Sequence, residues 1–232
     1  MRCLHRIFCL GLALAASATY AASRTRQRQP HTVFYSGGLV WRFTPSGLPP
    51  APLDTSDDAT FSTHLVQLGY TTNSMGYGPN SAVKSFFWQG EIEVGTGIAL
   101  HYLHNIFHTG RLFSLDWGAS VASQQSVRDG ERFVTASLFP VLRLTPVRTA
   151  PLDVYVMYSL AGPTFISKEL LDGENVGGHF TLQDQIGLGF FTGDSKRFNV
   201  EFRVGHFSNG NLLPRNIGIK VPLTISFGYA FK

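Results

Sequence analysis

The 232 residues carry little charge for their length: 15% are Asp, Glu, Lys or Arg, and the formal net charge is +4. An ordinary soluble domain has about 25% charged residues, and so small a net charge gives no support for nucleic-acid binding. The chain is also rich in Gly (24 residues) and in aromatic side chains (13%). This composition favours a β-rich protein over a helical one.

The N-terminus has the three parts of a secretory signal peptide. MRCLHR is basic, IFCLGLALAA is apolar, and ASATYAA supplies small residues for cleavage. We therefore expect residues 1–21 to be removed after Ala21, with Ala18 as the other candidate. Cys3 and Cys9 both lie in this peptide, so the exported mature chain is expected to have no disulfide.

Residues 22–59 are predicted to form a periplasmic leader that is partly irregular. SRTRQRQP is basic and polar, and TPSGLPPAPLDTSDD is rich in Pro and other turn formers. Between them, VFYSGGLVWRF is compatible with a strand or with a segment lying against the main domain. No later apolar run approaches the ~20 residues of a membrane helix, so a helical membrane protein is not expected.

From residue 60 to residue 232 the sequence reads as strands, because apolar and polar residues alternate between short clusters of turn formers. Eight strands are predicted, at 61–72, 83–97, 111–122, 132–146, 152–165, 179–191, 196–208 and 217–231. The last of them ends in Tyr229, Ala230 and Phe231, and a terminal aromatic residue is common in outer-membrane proteins.

Two segments between these strands contain chemically suggestive residues. HYLHNIFH has three histidines, His101, His104 and His108, whose spacing could ligate a metal on a helix. Because no carboxylate accompanies them, a surface turn is favoured and no metal site is predicted. SKELLDGENVGG is predicted to be a polar extracellular loop, with solvated carboxylates at Glu169, Asp172 and Glu174.

The polar series of the strands distinguishes a soluble barrel or sandwich from a membrane barrel. Its residues are small or polar and carry both charge signs, which suits the narrow interior of an eight-stranded membrane barrel, where they can pair with one another. The charged and amide members are Glu91, Glu93, Asp116, Arg143, Asp153, Gln183, Gln185, Glu201, Arg203 and Lys220. We therefore predict an all-β fold, an eight-stranded antiparallel transmembrane β-barrel over residues 60–232, in the outer membrane of a Gram-negative cell.

His206 and Ser208 are two residues apart in the seventh predicted strand, so they lie on the same face. That face also carries the apolar residues of FNVEFRVGHFS, which should meet lipid. If both termini are periplasmic, the pair lies at the level of the outer leaflet. Taken alone, a His-x-Ser spacing is a weak motif, and a strand that has simply left the hydrocarbon also explains it.

HFSNGNLLPRNIGI resembles the C-terminal motif of the outer-membrane lipid A 3-O-deacylases, a family of eight-stranded barrels. The family pattern is His-x-Ser-Asn-Ala/Gly, a short loop, then Pro-Asn-x-Gly-Ile and a carboxylate. The match is dense over residues 205–219 and looser over roughly 60–204. The resemblance implies an esterase without a cofactor, which removes the acyl chain at position 3 of lipid A in lipopolysaccharide.

Carried over residue by residue, the resemblance makes Ser208 the nucleophile and His206 its general base. Backbone amides near Asn209 and Gly210, together with Asn216, would bind the oxyanion. The position of the family's carboxylate holds Lys220 instead, and a lysine cannot orient an imidazole as an acid does. The alternation of the last strand places Lys220 on the interior face.

Asp184 in the sixth predicted strand is a tentative substitute for the missing acid. A hairpin that turns at Gly193-Asp194 would set it opposite Val204 and diagonal to His206 on the outer wall. A one-residue bulge or a register slip would instead turn Asp184 inward, towards Arg203 or Arg143.

The main prediction is a lipid A deacylase of the ester-hydrolase class, which acts in the outer leaflet. The alternative is a weak or inactive barrel of the same family, with a structural or lipopolysaccharide-binding role, and Lys220 favours it. A barrel acyltransferase would need an interior pocket for its acyl chain, which nothing in the sequence indicates. The oligomeric state is not predicted.

Overall fold

The computed structural model describes residues 33–36, 39–42, 62–74, 90–109 and 112–232. The predicted signal peptide lies outside these residues, as do most of the leader at 22–59 and residues 83–89 of the second predicted strand. The chain divides into two compact units, of which Val33–Trp41 with Pro49–Lys232 contains the barrel. The other unit, Met1–Thr32 with Arg42–Leu48, includes a single described residue, Arg42.

The described residues form twelve strands, which we number in chain order. They are β1 (Val33–Ser36), β2 (Leu39–Arg42), β3 (His64–Thr72), β4 (Ile92–Thr109), β5 (Phe113–Ser126), β6 (Arg132–Arg148), β7 (Leu152–Ile166), β8 (Leu170–Leu171), β9 (Glu174–Asn175), β10 (Phe180–Thr192), β11 (Phe198–Ser208) and β12 (Ile219–Phe231). Short β1 pairs with β4, where Phe34 lies opposite Phe107.

Eight of these strands close into a barrel. Their order is β4-β3-β12-β11-β10-β7-β6-β5, and β5 pairs back with β4. Successive neighbours around the ring are antiparallel, and a short parallel contact between β4 and β12 lies past the end of β3. The predicted eight-stranded antiparallel barrel is confirmed. The described residues include no helix with the length and apolar character needed to cross a membrane.

The outer wall of the barrel is apolar, and the interior contains paired charged and amide side chains as well as apolar clusters. Large apolar side chains point outward from several strands, among them Leu68 at 63% exposed and Phe227 at 64%. Inside, Arg143 pairs with Asp116 at 2.7 Å, and Arg203 pairs with Glu201. An exposed apolar surface around buried, paired charges is the arrangement of a membrane barrel.

Strand β4 is longer than predicted because it continues through HYLHNIFH. His101 and His108 are buried, whereas Tyr102 between them is exposed, so this segment alternates like the rest of the strand. The surface turn predicted here is therefore wrong: these histidines are polar residues of a barrel strand. Within the described ranges, no group of three or more His, Cys, Asp or Glu could hold a metal ion.

The end of the barrel where β11 stops and β12 starts, called here the loop end, is filled by an apolar cluster. It combines strand residues such as Phe207 and Ile219 with Leu171 and Val176 from the β8–β9 hairpin. Asp172 in that hairpin is buried and accepts hydrogen bonds from the Ser126 hydroxyl and the Asp129 N–H. The solvated state predicted for Asp172 is therefore wrong, because its carboxylate anchors the hairpin to the β5–β6 turn.

Candidate active site on the outer wall

Strand β11 presents His206 and Ser208 on the outer wall near the loop end. Asn199, Glu201, Arg203 and Phe207 alternate with them and are buried inside the barrel. His206 is only 8% exposed, and Ser208 is half-buried. Residues two apart on a strand have Cα atoms ~6–7 Å apart. The side chains of His206 and Ser208 can therefore approach each other along this wall.

Asp184 on β10 lies directly opposite His206, since the register runs without interruption from Leu182↔Ser208 to Thr192↔Phe198. The predicted register, with Asp184 opposite Val204, is wrong by two residues. The reason is the turn: five residues, 193–197, separate β10 from β11 instead of two. Direct pairing brings the two Cα atoms to about 4.5–5.5 Å, closer than the diagonal position that the sequence suggested.

The alternative in which Asp184 turns inward does not occur in this structure. Its strand neighbours Gln183 and Gln185 are the buried residues, and the arginines proposed as its partners are paired with Asp116 and Glu201. A bulge is present here, but it lies in β7, where two residues face Asp184 between Gly162 and Ser159.

The β7 bulge orients the carboxylate of Asp184. Ala161 in the bulge has a φ of 45°, and its N–H donates a 2.6 Å hydrogen bond to Asp184 Oδ1. A backbone amide that is aimed by a bulge is a fixed donor. The second carboxylate oxygen, Oδ2, is left for another donor, and His206 is the residue directly opposite.

Lys220 lies on the outer wall, not on the interior face that alternation predicted. The β11–β12 register passes from Arg203↔Thr224 to Gly205↔Val221, so β12 has one extra residue there. Because side chains alternate with a period of two, one extra residue reverses every face beyond it. Val221 and Ile219 are therefore buried inside, and Lys220 faces outward, directly opposite His206.

Glu93 joins this arrangement from β4, which pairs in parallel with β12 at Lys220↔Glu93. Its neighbours Ile92 and Val94 are buried in the loop-end cluster, so Glu93 points outward. The distance from Lys220 Nζ to Glu93 Oε2 is 4.0 Å. The interior position predicted for Glu93 is wrong for the same kind of reason, a shift between Val94 and Thr96. Glu91, also predicted inside, is exposed just before β4.

Four polar residues thus stand side by side across four adjacent strands, in the order Asp184, His206, Lys220 and Glu93. We call this set the outer-wall row. Irregular pairing surrounds it in β4, β7 and β12. Bulges re-aim side chains and are frequent next to active sites, so their concentration here indicates a functional site.

The loop after Ser208 is held by hydrogen bonds among its own asparagines. The Asn209 N–H donates to Asn216 Oδ1 at 2.9 Å, and Asn209 Nδ2 donates to the Arg215 carbonyl at 3.1 Å. Asn211 N–H donates to Asn209 Oδ1 at 2.9 Å. Asn209 is 1% exposed, so it is the internal brace of this loop.

This network engages some of the groups predicted to bind an oxyanion. Of the groups that the sequence suggested, the Asn209 N–H donates to Asn216 Oδ1, and Asn216 Nδ2 donates to Asn211 Oδ1 at 3.2 Å. Gly210 lies outside that pair, is exposed, and has a φ of 63°, a left-handed conformation that favours glycine. Among the predicted donors, its amide is therefore the one outside the Asn209–Asn216 bond.

The β8–β9 hairpin packs against the loop that follows Ser208, a contact that the sequence did not reveal. A Cβ added at Gly177 would overlap the Arg215 carbonyl oxygen and lie 2.6 Å from Asn209 Nδ2. The hairpin also packs its Leu171 and Val176 in the same cluster as Phe207, the residue between His206 and Ser208. The hairpin therefore fixes both the strand and the loop that carry the predicted site residues.

A closed barrel with an apolar outer wall defines an outer-membrane protein, and the outer-wall row lies on that wall. The sequence model of one family, described as Lipid A 3-O-deacylase (PagL), matches residues 96–230. The chain belongs to this family, and the resemblance drawn from the sequence is confirmed.

Two solved structures are among those to which the chain is similar. The crystal structure of the outer membrane enzyme PagL is 16% identical, covers 72% of this chain and 99% of its own, and gives a TM-score of 0.47. The crystal structure of Neisserial surface protein A (NspA) is 11% identical, covers 72% of this chain and 97% of its own, and gives a TM-score of 0.41. No curated protein sequence matches the chain significantly.

Proposed function

We propose that this protein is an esterase that removes the 3-O-linked acyl chain from lipid A in the outer leaflet. The observation that carries the proposal is the direct pairing of Asp184 with His206, two residues from Ser208, on the outer wall of the barrel. Membership of the lipid A 3-O-deacylase family supplies the substrate class. A site on the outer wall suits a substrate that never leaves the membrane.

In the first half-reaction Ser208 is the nucleophile, and His206 accepts the proton of its hydroxyl. The serine oxygen bonds to the carbonyl carbon of the acyl ester, and the carbonyl oxygen becomes an oxyanion. When this intermediate collapses, the bond to the sugar oxygen breaks and His206 returns the proton to that oxygen. The acyl chain is then esterified to Ser208.

In the second half-reaction a water molecule attacks the acyl-serine. His206 takes a proton from the water, and the serine oxygen leaves with that proton as the carbonyl re-forms. The products are a free fatty acid and the regenerated Ser208 hydroxyl. Water reaches this step from the loop end, where the headgroup region of the membrane begins.

Asp184 takes the role of the acid that family members carry at the position of Lys220. A carboxylate beside the imidazole selects the tautomer that can accept the serine proton and stabilises the imidazolium that forms. Two observations support this role: the register places Asp184 opposite His206, and the Ala161 amide fixes Asp184 Oδ1.

The Gly210 amide is the proposed primary oxyanion donor. Asn209 and Asn216 shape the loop that presents it, since their mutual hydrogen bond closes the loop at its base. A single oxyanion donor is typically worth about 3 kcal/mol of transition-state stabilisation, so the loop geometry matters for the rate.

Mass spectrometry of lipid A from a Gram-negative host that makes the wild-type protein or Ser208→Ala tests the proposal. The expected result is loss of the mass of one 3-O-acyl chain with the wild type and an unchanged spectrum with the variant. Equal spectra from both strains, with both barrels folded in the outer membrane, would instead support a non-catalytic barrel.

A further inference from the structure

We propose that His64 and His104 form a binding site for a divalent transition-metal ion, such as zinc or copper, on the outer wall of the barrel. The site lies at the end opposite the loop end, called here the turn end, where β3 begins and β12 ends. On β4, the ~3.3 Å rise per residue of a strand puts His104 roughly 36 Å from Glu93 of the outer-wall row. The inference is therefore independent of the proposed esterase.

The barrel register brings the two histidines together. His64 and His104 lie directly opposite each other in the β3–β4 pairing. Each is followed or preceded by a buried leucine, Leu65 or Leu103, so both imidazoles are on the outer wall. His104 belongs to the histidine run HYLHNIFH, but its partner is on the neighbouring strand and not in that run. Spacing along the chain could not reveal this pair.

The ring nitrogens of the pair have the separation of metal ligands. His64 Nδ1 and His104 Nδ1 are 3.4 Å apart, and two nitrogens bound to one tetrahedral zinc ion at ~2.0–2.1 Å are about 3.3–3.4 Å apart. A neutral imidazole nitrogen offers either one lone pair or one N–H. His64 Nδ1 nevertheless has two polar neighbours, because Tyr102 Oη is 2.8 Å away. A metal ion would engage both nitrogen lone pairs, with the phenol oxygen beside them.

The ring of His64 is held in place by its neighbours. It stacks on Phe231 of β12, with centroids 5.2 Å apart and an interplanar angle of 22°. It also stacks on Tyr102, at 5.9 Å and 21°, and its centroid is 5.0 Å from that of His104. Side chains that are ordered before a ligand arrives lose less entropy on binding. The stack therefore preorganises the pair.

The surroundings of the pair can complete the coordination of an ion. Trp117 lies directly opposite His104 on β5 and is 52% exposed, and Tyr102, Tyr229 and Phe231 are exposed on the same end of the wall. A girdle of aromatic residues marks the level of the lipid headgroups on a membrane barrel. Water and headgroup oxygens are available at that level, so they can fill the positions that the protein leaves open.

The donor atoms indicate which metals fit. Imidazole nitrogens suit zinc, copper and nickel, whereas calcium and magnesium prefer oxygen ligands. Two histidines and a phenol are fewer ligands than a closed structural zinc site has. We therefore expect an exchangeable ion that links β3 to β4.

The test titrates zinc chloride into the untagged full chain, folded in detergent micelles, by isothermal calorimetry. Loss of an outer-shell partner already costs ~10–100-fold in metal affinity, so His64→Asn and His104→Asn should each weaken binding by about 100-fold, and Tyr102→Phe by about tenfold. His179→Asn is the matched control, because His179 also has a polar neighbour, Glu169 Oε1 at 3.4 Å, but lies at the loop end. It should bind zinc like the wild type.

Electron paramagnetic resonance of the copper-loaded wild type gives a second readout, with hyperfine coupling to two imidazole nitrogens expected. Heat-modifiable mobility in gel electrophoresis shows whether each variant is folded, and the wild-type spectrum decides alone if a variant is not. Zinc binding that survives in His64→Asn/His104→Asn, or that disappears in His179→Asn, would overturn the inference. A wild type that binds no zinc, or a copper spectrum without two coupled nitrogens, would overturn it as well.

Discussion

Asp184 and His206 lie directly opposite each other on β10 and β11, on the membrane side of the barrel wall. Placing two polar side chains on a lipid-facing surface costs free energy unless they bind each other or a ligand. Oδ1 of Asp184 is bonded to the Ala161 amide, and this fixed position supports the proposed role of the carboxylate in orienting the imidazole.

Replacing Asp184 by Asn should lower kcat by about 10²-fold or more, since an acid–base step assisted by a positioned group is worth ~10²–10⁴-fold. The amide can still accept the Ala161 N–H, so the barrel should fold normally. Steady-state hydrolysis of lipid A by the purified variant measures the effect. Asp194→Asn, in the turn after β10, is the control and should match the wild type; equal rates for both variants would remove Asp184 from the mechanism.

Asn209→Ala should reduce kcat by about 10²-fold, because the variant loses the side-chain hydrogen bonds that brace the loop and misplaces the Gly210 amide. The comparison is Asn211→Gly at an exposed position with a φ of 63°. This variant removes the Asn216–Asn211 side-chain bond but keeps the Asn209 side chain, and it should cost less than tenfold. The assay is hydrolysis at saturating substrate. Equal losses in the two variants would show that the brace is not what positions the donor.

Gly177→Ala should lower kcat with little change in KM, because the added methyl group would push against Arg215 and Asn209 and displace the catalytic loop. Gly178→Ala provides a close control. It also has a positive φ, 115° against 92° for Gly177, but a Cβ there meets nothing within 4 Å. Both variants carry backbone strain, and only the first carries the collision. A Gly178→Ala enzyme as impaired as Gly177→Ala would attribute the loss to strain alone.

Acid should loosen the β8–β9 hairpin through Glu131. The Asp172 N–H donates to Glu131 Oε2 at 2.7 Å and Lys168 donates to Oε1 at 3.1 Å, and these bonds lower the pKa of Glu131. A lowered folded-state pKa means that the stabilisation is present above the ordinary pKa and disappears as the pH falls through the lowered value.

Amide hydrogen exchange of residues 167–179 between pH 6 and pH 3, corrected for the intrinsic pH dependence of exchange, measures this loosening. The wild type should lose protection towards the acid end. Glu131→Gln should already be less protected at pH 6 and change less with acid. A variant that keeps full protection at pH 6 would contradict the role given to Glu131.

The barrel could be predicted from the sequence because its strands obey one simple rule. Lipid outside and a narrow polar interior force apolar and polar residues to alternate, and β6 and β7 were located to within two residues at each end. The same rule failed at the outer-wall row. One extra residue in β12 reversed the face of Lys220, and no composition signal marks where a bulge falls.

The packing of the β8–β9 hairpin could not be predicted either, and the reason differs from that for the bulge. Asp172 looks like a solvated loop residue in the sequence, and only the folded chain shows it bonded to the β5–β6 turn. Likewise, the five-residue turn after Thr192 moved Asp184 from a diagonal position to a direct one. The first depends on a contact between segments that are far apart in the sequence, and the second depends on the length of one turn.

The central claim, that Ser208 on the outer wall is the nucleophile, is tested most directly by covalent labelling. The folded barrel is incubated with a lipid-like fluorophosphonate that traps activated serines, and the modified peptide is identified by mass spectrometry. We expect the label on Ser208 in the wild type and its loss, or strong reduction, in His206→Asn. Lipid A hydrolysis that proceeds while Ser208 stays unlabelled, or that survives in Ser208→Ala, would contradict the account.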